Sequence, residues 1–282
     1  MVDDTGASQR IESLDAVPAG VAAAAHRIVH GGARFSDPVV VNDEVERDLA
    51  ALAELAPLHA APAIDALRQA RRQLPDVPHV AVFDTAFHAT IPDEASTYAV
   101  PRRWREEWGI RRYGFHGLSV QWSSEQVPVR RLVVCHLGGG CSVTAVLDGH
   151  SIDTTMGFTP LEGVPMATRS GSVDPGALLY LLRRGVLSVD ELERALEHES
   201  GLAALDGYDV YAYRIALAVG AMAAALDGID ALVFTGGVGE HVPEVREKVR
   251  ARLGHLGAFR VEIVAAREDV VAASAARTLL AG

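Results

Sequence analysis

The segment 135–171 holds the residues of this chain with the clearest potential for chemistry, namely two glycine turns, a short apolar hairpin and one arginine, Arg169. A hydrophobic run at 132–135 predicts a buried strand that leads into Gly138-Gly139-Gly140. A strand that ends in glycines lets backbone N–H groups approach an anion closely, because no side chain stands in the way. The same triplet is also typical of a plain tight turn, and both interpretations stay open for this segment taken alone.

A second glycine turn lies in ALVFTGGVGE, residues 231–240. Its order of strand, glycine turn and helix start suits a phosphate or nucleotide, because a helix N-terminus offers unpaired N–H groups and the positive end of a dipole. The segment matches neither the dinucleotide fingerprint nor a P-loop with its lysine. A structural turn therefore remains the alternative.

Two charged residues stand at the ends of predicted strands. Arg27 lies beside Gly31-Gly32 in HRIVHGG, where a guanidinium can clamp a carboxylate or phosphate with two hydrogen bonds or simply be solvated. Asp84 follows the apolar strand 79–83, where an acid can orient a partner or a metal. Its alternative role is the cap of a helical segment that begins near Thr85.

Two further loops complete the set. His116 stands between an aromatic residue and a glycine in RRYGFHG, and an imidazole there can donate to a developing anion. Arg169 lies in a loop rich in Gly, Pro and Ser, where packing does not require it. His59, between two prolines, is of a kind that is usually structural. Two arginines, an acid, a histidine and two glycine turns together fit phosphoryl transfer, which needs positioning and charge neutralisation more than covalent chemistry.

The elements that must position these residues alternate between short apolar runs and amphipathic helices, which predicts an α/β architecture. The pattern predicts helices at 14–25, 42–55, 62–74, 100–110, 178–184, 189–197, 210–226, from 243, and 267–281. It predicts strands near 28–29 and at 79–83, 132–135, 142–147, 231–235 and 258–265.

Composition narrows the class of protein. The chain has 282 residues, 49% hydrophobic and 22% charged, with a net charge of −11. That charge argues against general nucleic-acid binding, although local arginines can still hold a small anion. No apolar run approaches the roughly 20 residues of a membrane span, and the N-terminus is polar, so we expect a cytoplasmic protein with no membrane or nucleic-acid partner. Cys135 and Cys141 are expected to be reduced structural thiols.

Seven collinear segments carry a family resemblance, and together they cover most of the chain: HRIVHGG, LAPLHAAPAI, VAVFDTAFHATIP, IRRYGFHG, CHLGGGCSVTAVLDG, TTMGFTPLEGVPMATRSG and LVFTGGVGEHVPEVRE. In these segments the chain resembles the acetate kinase family of the sugar kinase and actin superfamily. The resemblance implies a two-domain ribonuclease H-like α/β fold of the actin and sugar kinase type, with a reduced first domain. We expect residues 1–86 with 267–282 to form that acyl and phosphate domain, and 87–266 to bind nucleotide and dimerise.

The resemblance also implies the reaction, which is the reversible transfer of the ATP γ-phosphoryl group to acetate or another short-chain carboxylate, giving an acyl phosphate and ADP with Mg²⁺ as cofactor. It assigns catalysis to Arg27, Asp84, His116 and Arg169. It assigns the substrate pocket to Val29, Leu58, His59, Phe115 and Pro160. It assigns nucleotide binding to His136, Gly138, Gly140, Gly236, Gly237, Gly239 and Glu240. It associates the metal with Glu268.

The chain departs from the family pattern at several places. The Asn-x-Gly-Ser-Ser-Ser turn of the first family strand has no counterpart, since the sequence joins the pattern near Ile11. Val120 replaces a second histidine, Ser172 replaces an acid, and His241 replaces a usual asparagine. The helical stretch that the family has after Val120 is expected to be nearly absent, because SSEQVPVRR leads straight to the next strand. A segment that contacts adenosine is expected to be missing after HESGLAALDG.

Three hypotheses follow from these departures. The first is an acetate kinase-like enzyme, expected to form the homodimer of its family and to bind ATP or ADP and a short-chain carboxylate or acyl phosphate. The second is a catalytically impaired relative that binds nucleotide, acyl phosphate or a protein partner. The third is that the sequence is part of a longer kinase.

Overall fold

The computed structural model describes residues 1–9, 16–18, 20–52 and 57–282, and the side chains of 57–61 are not described. The strands are β1 (Ala24–Ile28), β2 (Val39–Val40), β3 (His79–Phe83), β4 (Arg131–Leu137), β5 (Cys141–Leu147), β6 (His150–Thr154), β7 (Ala231–Thr235) and β8 (Arg260–Ile263). The helices are α1 (Asp43–Leu52), α2 (Pro57–Gln73), α3 (Asp93–Ser96), α4 (Arg102–Trp108), α5 (Gly117–Gln126), α6 (Pro175–Arg183), α7 (Val189–His198), α8 (Asp209–Ala225), α9 (Gly236–His241), α10 (Pro243–Arg250) and α11 (Glu268–Ala281).

The chain divides into two compact units. The first unit comprises Met1–Ala89, Phe115–Trp122 and Arg267–Gly282, and the second comprises Thr90–Gly114 and Ser123–Ala266. The functional division expected from the sequence stays a prediction. No helix within the described ranges is both long and apolar enough to cross a membrane.

The first unit is built on a three-stranded sheet in the order β1-β3-β2, with β1 parallel and β2 antiparallel to β3. All five residues of β3 are buried, because apolar side chains cover both faces of this central strand. Ile28, Ala81 and Phe83 pack on one face with Leu49 and Leu67, which belong to α1 and α2. The opposite face packs against α5 and α11 through a smaller cluster made of Val80, Val82, Leu118, Val271, Ala272 and Ala276.

The second unit holds a five-stranded sheet in the order β6-β5-β4-β7-β8. β4 is antiparallel to β5 and parallel to β7, with His136 opposite Thr235 at the carboxyl ends of the parallel pair. The predicted hairpin after the glycine triplet is therefore present as β4 and β5. Both cysteines are reduced and buried in these two strands.

The helix predicted near the N-terminus is wrong. The helix predicted at 14–25 is replaced at its end by β1, which starts at Ala24, because parallel pairing of Ala24 with His79 and of Ala25 with Val80 overrides the helix preference of alanine. Residues 14, 15 and 19 of that prediction fall outside the described residues. After Val120 the helix α5 continues for only six residues, to Gln126, and β4 begins at Arg131.

Candidate active site

Arg27 is the centre of a charged cluster in the first unit. Its Nε donates to Asp84 Oδ1 at 2.8 Å and its Nη2 to Asp84 Oδ2 at 2.7 Å. Its Nη1 donates to Glu268 Oε2. Asp84 is therefore a partner of an arginine, one of the two roles that the sequence left open, and the structure brings together three of the predicted site residues.

The sheet explains why these three residues meet. Arg27 lies opposite Val82 in the parallel pair, and the ladder continues with the Asp84 N–H donating to the Ile28 carbonyl at 3.0 Å. Residues two apart along a strand share a face, so Arg27 and Asp84 project to the same side. Helix α11 covers that side, and Glu268 is its first residue.

Burial governs the charges in this cluster. Asp84 is 1% exposed, and burial raises the pKa of its carboxyl while the Arg27 guanidinium opposes that rise. Burial also raises the pKa of the Glu268 carboxyl, again against the effect of Arg27. Desolvation lowers the pKa of Arg27, but the two carboxylates more than reverse this, and the net direction is upward. One guanidinium thus faces two acids, which leaves the cluster with excess negative charge when all three are ionised.

Gly117 brings His116 close to the same cluster. The Gly117 N–H donates to the Asp84 carbonyl at 2.8 Å, and a Cβ on Gly117 would lie 2.2 Å from that oxygen. Only glycine permits this approach. His116 itself is largely buried and has a positive φ of 61°, a conformation that is uncommon outside glycine and occurs often at functional sites.

The predicted substrate-pocket residues are distributed over both units. Phe115 is buried beside His30 in an edge-on ring contact, and its carbonyl accepts from His88 Nε2 at 2.9 Å. Val29 follows β1 directly and is half-buried. Pro160 is buried in the second unit. Leu58 and His59 fall within helix α2, but their side chains lie outside the described residues.

The two glycine turns lie side by side in the second unit. They follow the neighbouring parallel strands β4 and β7, and a Cβ on Gly138 would be 3.7 Å from the Gly237 nitrogen. Gly237 and Gly139 have open space where a Cβ would stand. His136 lies at the end of β4, Gly138 and Gly140 lie in the turn that follows it, and Gly236 and Gly239 belong to α9, which begins directly after β7. Carboxyl ends of parallel strands are where open α/β sheets bind ligands.

Glu240 helps to build the second turn. Its Oε1 accepts from the Gly236 N–H at 2.9 Å and from the Ala266 N–H at 3.0 Å. Gly236 has a positive φ of 78°, and a Cβ there would approach the Leu137 carbonyl oxygen to 2.8 Å. The predicted nucleotide residue Glu240 is thus engaged in fixing the turn through at least one of its oxygens.

Arg169 stands in a loop of the second unit that the sequence did not connect with any helix. Its Nε lies 2.9 Å from Glu197 Oε2, and its Nη1 lies 3.4 Å from the Pro160 carbonyl oxygen. Glu197 belongs to α7, whose sequence pattern is that of an ordinary amphipathic helix. Sequence reasoning missed Glu197, because nothing in that pattern distinguishes it from the exposed acids of the same helix.

Comparison with known proteins establishes the family of this chain. A model of the acetokinase family matches residues 8–209 and 204–279. The chain belongs to the acetokinase family. The resemblance drawn from the seven segments is thereby confirmed, and this family is one of ATP-dependent kinases.

Relatives and solved structures support the same membership. The acetate kinase of Nostoc punctiforme is 44% identical over 90% of this chain and 68% of its own length, and that of Protochlamydia amoebophila is 45% identical over 82% and 65%. The chain thus spans about two thirds of the length of these relatives. A propionate kinase from Francisella tularensis superposes with a TM-score of 0.86 at 34% identity, covering 90% of this chain and 78% of that one.

A second solved structure extends the agreement. The acetate kinase of Porphyromonas gingivalis has a TM-score of 0.84 at 32% identity, covering 99% of this chain and 82% of that one. These structures have the two-domain fold of the actin and sugar kinase type, so the predicted fold class is confirmed. The roles of the individual site residues stay predictions.

The structure provides few side-chain ligands for the predicted magnesium site. Across the part of the chain that the structure describes, no three His, Cys, Asp or Glu side chains are placed to hold a metal ion. Glu268, the predicted metal residue, instead pairs with Arg27. Two carboxylates nevertheless meet at this guanidinium, and carboxylate oxygens are the ligands that Mg²⁺ prefers.

Proposed function

We propose that this protein transfers the γ-phosphoryl group of ATP to the carboxylate of acetate or another short-chain acid, reversibly, giving an acyl phosphate and ADP. The observation that carries the proposal is the state of Arg27. Three of the five N–H groups of a guanidinium are used by Asp84 and Glu268, and the side chain is still 39% exposed. A cation fixed by one buried and one half-buried acid, with donors left over, is suited to hold an anionic substrate.

In the transfer step, a carboxylate oxygen attacks the γ-phosphorus while the bond from that phosphorus to the β–γ bridging oxygen breaks, and ADP leaves with the bond electrons. Charge moves across the phosphoryl group, so preorganised donors are the main requirement. Arg27 and Arg169 would neutralise this charge, and His116 would donate to it. Asp84 would orient Arg27, since both of its oxygens hold that guanidinium.

The glycine turns are the proposed nucleotide contacts. The open positions at Gly139 and Gly237 leave backbone N–H groups accessible to phosphate oxygens. His136, Gly138, Gly140, Gly236 and Gly239 would shape these turns, with Glu240 holding the second one in place. This assignment gives the nucleotide role to the second unit.

Magnesium fits the cluster around Arg27. Asp84 and Glu268 bring two carboxylates against one guanidinium, and Mg²⁺ is commonly held by one or two carboxylates together with water and phosphate oxygens. Glu268 would hold the ion, and Asp84 would keep its place on Arg27. When bound, the ion would supply charge neutralisation on the nucleotide phosphates.

A homodimer is the proposed assembly. Val210, Tyr213 and Leu217 recur at three- and four-residue spacing along α8 and are each about half exposed, which places an apolar stripe on one face of that helix. Leu179 and Tyr180 on α6 are similarly exposed. Exposed apolar patches of this kind mark protein interfaces, and a second copy of this chain would cover them.

Trapping the acyl phosphate with hydroxylamine tests the activity directly. Purified protein with MgATP and acetate should yield acetohydroxamate together with ADP, and Arg169→Ala should lower the rate by about 100-fold or more. Propionate and butyrate in parallel would define the acid. If no acid gives product above the Arg169→Ala control, the impaired relative becomes the better description. The retained Arg27, Asp84, His116 and Arg169 favour catalysis.

A further inference from the structure

The loop that carries Arg169 is attached by its backbone to the C-terminal end of α7. The Ser170 N–H donates to the Leu196 carbonyl at 2.9 Å, and the Ser200 N–H donates to the Thr168 carbonyl at 2.9 Å. Thr168 Oγ1 donates to the Glu197 carbonyl at 2.8 Å. These bonds hold loop and helix end together without any contribution from the Glu197 side chain.

The turn that follows α7 strengthens this attachment. Gly201 has a positive φ of 64°, and a Cβ there would lie 2.2 Å from the Met166 carbonyl oxygen and 2.6 Å from the Arg169 carbonyl oxygen. The backbone of the loop therefore rests directly on Gly201. Because so many backbone contacts already dock the loop, the Glu197 carboxylate is not needed for docking.

The Glu197 carboxylate instead faces the guanidinium. Oε2 lies 2.9 Å from Arg169 Nε, and the two side chains are only 12% and 17% exposed. The contact is an ion pair whose angle does not meet hydrogen-bond geometry, since the buried Oε2 has no hydrogen-bond partner among the described residues. The charge of Glu197 therefore acts on the Nε side of Arg169, while Nη1 lies 3.4 Å from the Pro160 carbonyl oxygen and 3.9 Å from Met166 Sδ.

We propose that Glu197 is a positioning residue for Arg169: its charge holds the Nε edge of the guanidinium, so that the Nη edge is presented to the anionic group of the substrate. The inference rests on the proposed function of Arg169. It has a second consequence, because a carboxylate so close to an anion site opposes the binding of that anion. Glu197 thus restricts the conformations of the Arg169 side chain, and it also weakens the binding of the anionic substrate.

The variant Glu197→Gln isolates the charge, because it keeps the shape of the side chain. Loss of the opposing charge should lower the KM for the carboxylate substrate by about three- to tenfold. Loss of the hold on Nε should lower kcat by about tenfold, since small displacements of a catalytic group are costly. Glu197→Asp keeps the charge and should restore both parameters in part. A purely structural residue would not move KM and kcat in this way at unchanged melting temperature.

The matched control is Glu193→Gln. Glu193 lies on the same helix, four residues earlier, and is exposed. This variant removes one negative charge from α7 one turn before Glu197, at a side chain that is exposed, so its KM and kcat should equal those of the wild type. Equal changes in the Glu193 and Glu197 variants would mean that the overall charge of the helix is responsible, and would overturn the inference.

Calorimetric titration with inorganic phosphate separates this inference from the proposed function. Glu197→Gln should bind phosphate about three- to tenfold more tightly than the wild type, and Arg169→Ala should bind it more weakly. If the wild type is inactive on every acid but these affinities hold, the proposed function fails and the role of Glu197 stands. If Glu197→Gln has wild-type phosphate affinity, or Arg169→Ala binds phosphate as tightly as the wild type, the role of Glu197 is overturned.

Discussion

Asp84 holds Arg27 with both carboxylate oxygens, at 2.8 Å and 2.7 Å, from a position that is almost fully buried. Arg27 has a second acid partner in Glu268 and remains partly exposed, whereas Asp84 depends on Arg27 for its neutralisation. The pair is therefore asymmetric. Removing the cation leaves a buried charge, while removing the buried acid leaves a cation that still has a partner and water.

This asymmetry predicts unequal losses of stability. Arg27→Met should lower the free energy of unfolding by about 3–5 kcal/mol, because it leaves Asp84 uncompensated in the core. Asp84→Ala should cost less, because Arg27 keeps Glu268. Urea denaturation of both variants at pH 7 measures the difference, and a larger loss for Asp84→Ala would contradict the assignment. Both variants should also lose most of the catalytic rate.

The tight packing of Gly201 against the loop that carries Arg169 predicts that a side chain at this position disturbs the loop. Gly201→Ala should be strongly destabilising or displace the loop, because its Cβ would enter the 2.2 Å gap to the Met166 carbonyl oxygen. The control is Gly185→Ala, which has a similar positive φ of 61° but open space around it, so it should cost only about 1 kcal/mol of backbone strain. Thermal melting and kcat should fall in the first variant and stay close to wild type in the second. Equal effects would indicate that φ alone matters.

The open space at Gly237 predicts a variant that folds but binds nucleotide poorly. A Cβ at this position meets no atom within 4 Å, so Gly237→Ala should melt like the wild type. If phosphate oxygens approach the backbone there, the added methyl group should raise the Kd for MgATP by about tenfold. Gly254→Ala, also free of contacts within 4 Å, is the control. Unchanged ATP affinity in Gly237→Ala would remove this turn from the nucleotide site.

Buried histidines predict a loss of stability in mild acid. Burial lowers the pKa of His88 to about 4 and, together with His79, lowers that of His26 to about 4, from 6.5. The unfolded chain therefore binds more protons between pH 6.5 and 4, and stability present above pH 6.5 is lost as the pH falls. Each group should remove about 2 kcal/mol at pH 5 relative to pH 8.

The variant His88→Gln measures that contribution. The difference in unfolding free energy between pH 8 and pH 5 should shrink by about 2 kcal/mol relative to the wild type. Carboxylates titrate in both proteins, so their effect cancels in the comparison. His150→Gln, at an exposed position in β6, serves as the control and should leave the difference unchanged. An identical pH dependence in His88→Gln and wild type would contradict the assignment.

The apolar stripe on α8 predicts the oligomeric state. Leu217→Glu should convert a dimer into a monomer, because it places a charge among exposed apolar side chains at the interface. Analytical ultracentrifugation gives the mass directly, and Glu193→Gln is again a suitable control. A wild-type protein that is monomeric at micromolar concentration would rule out this interface.

Local patterns predicted the elements that carry the most regular signals. The buried run at β3, the hairpin of β4 and β5, and the glycine turn after β7 all follow from apolar runs bounded by glycine. The helix predicted at 14–25 is wrong at its end, because Ala24 and Ala25 pair with β3 instead. A local sequence pattern does not contain such a tertiary contact.

The candidate site likewise contains residues that the sequence pattern indicated and one that it did not. Arg27 and His116 stand near glycines and Asp84 follows an apolar strand, so their types and positions marked them in the sequence. Glu197 carries no such mark, because its importance comes only from the loop that folds onto the end of α7. Contacts between segments that are distant in sequence are set by packing.

Phosphorus NMR of the reverse reaction tests the central claim most directly. With acetyl phosphate and MgADP, the acyl phosphate signal should fall as the γ-phosphate signal of ATP rises in equal amount, and Arg169→Ala should slow this exchange by about 100-fold or more. Loss of acetyl phosphate to inorganic phosphate without ATP, or equal rates in wild type and Arg169→Ala, would contradict the proposed phosphotransferase.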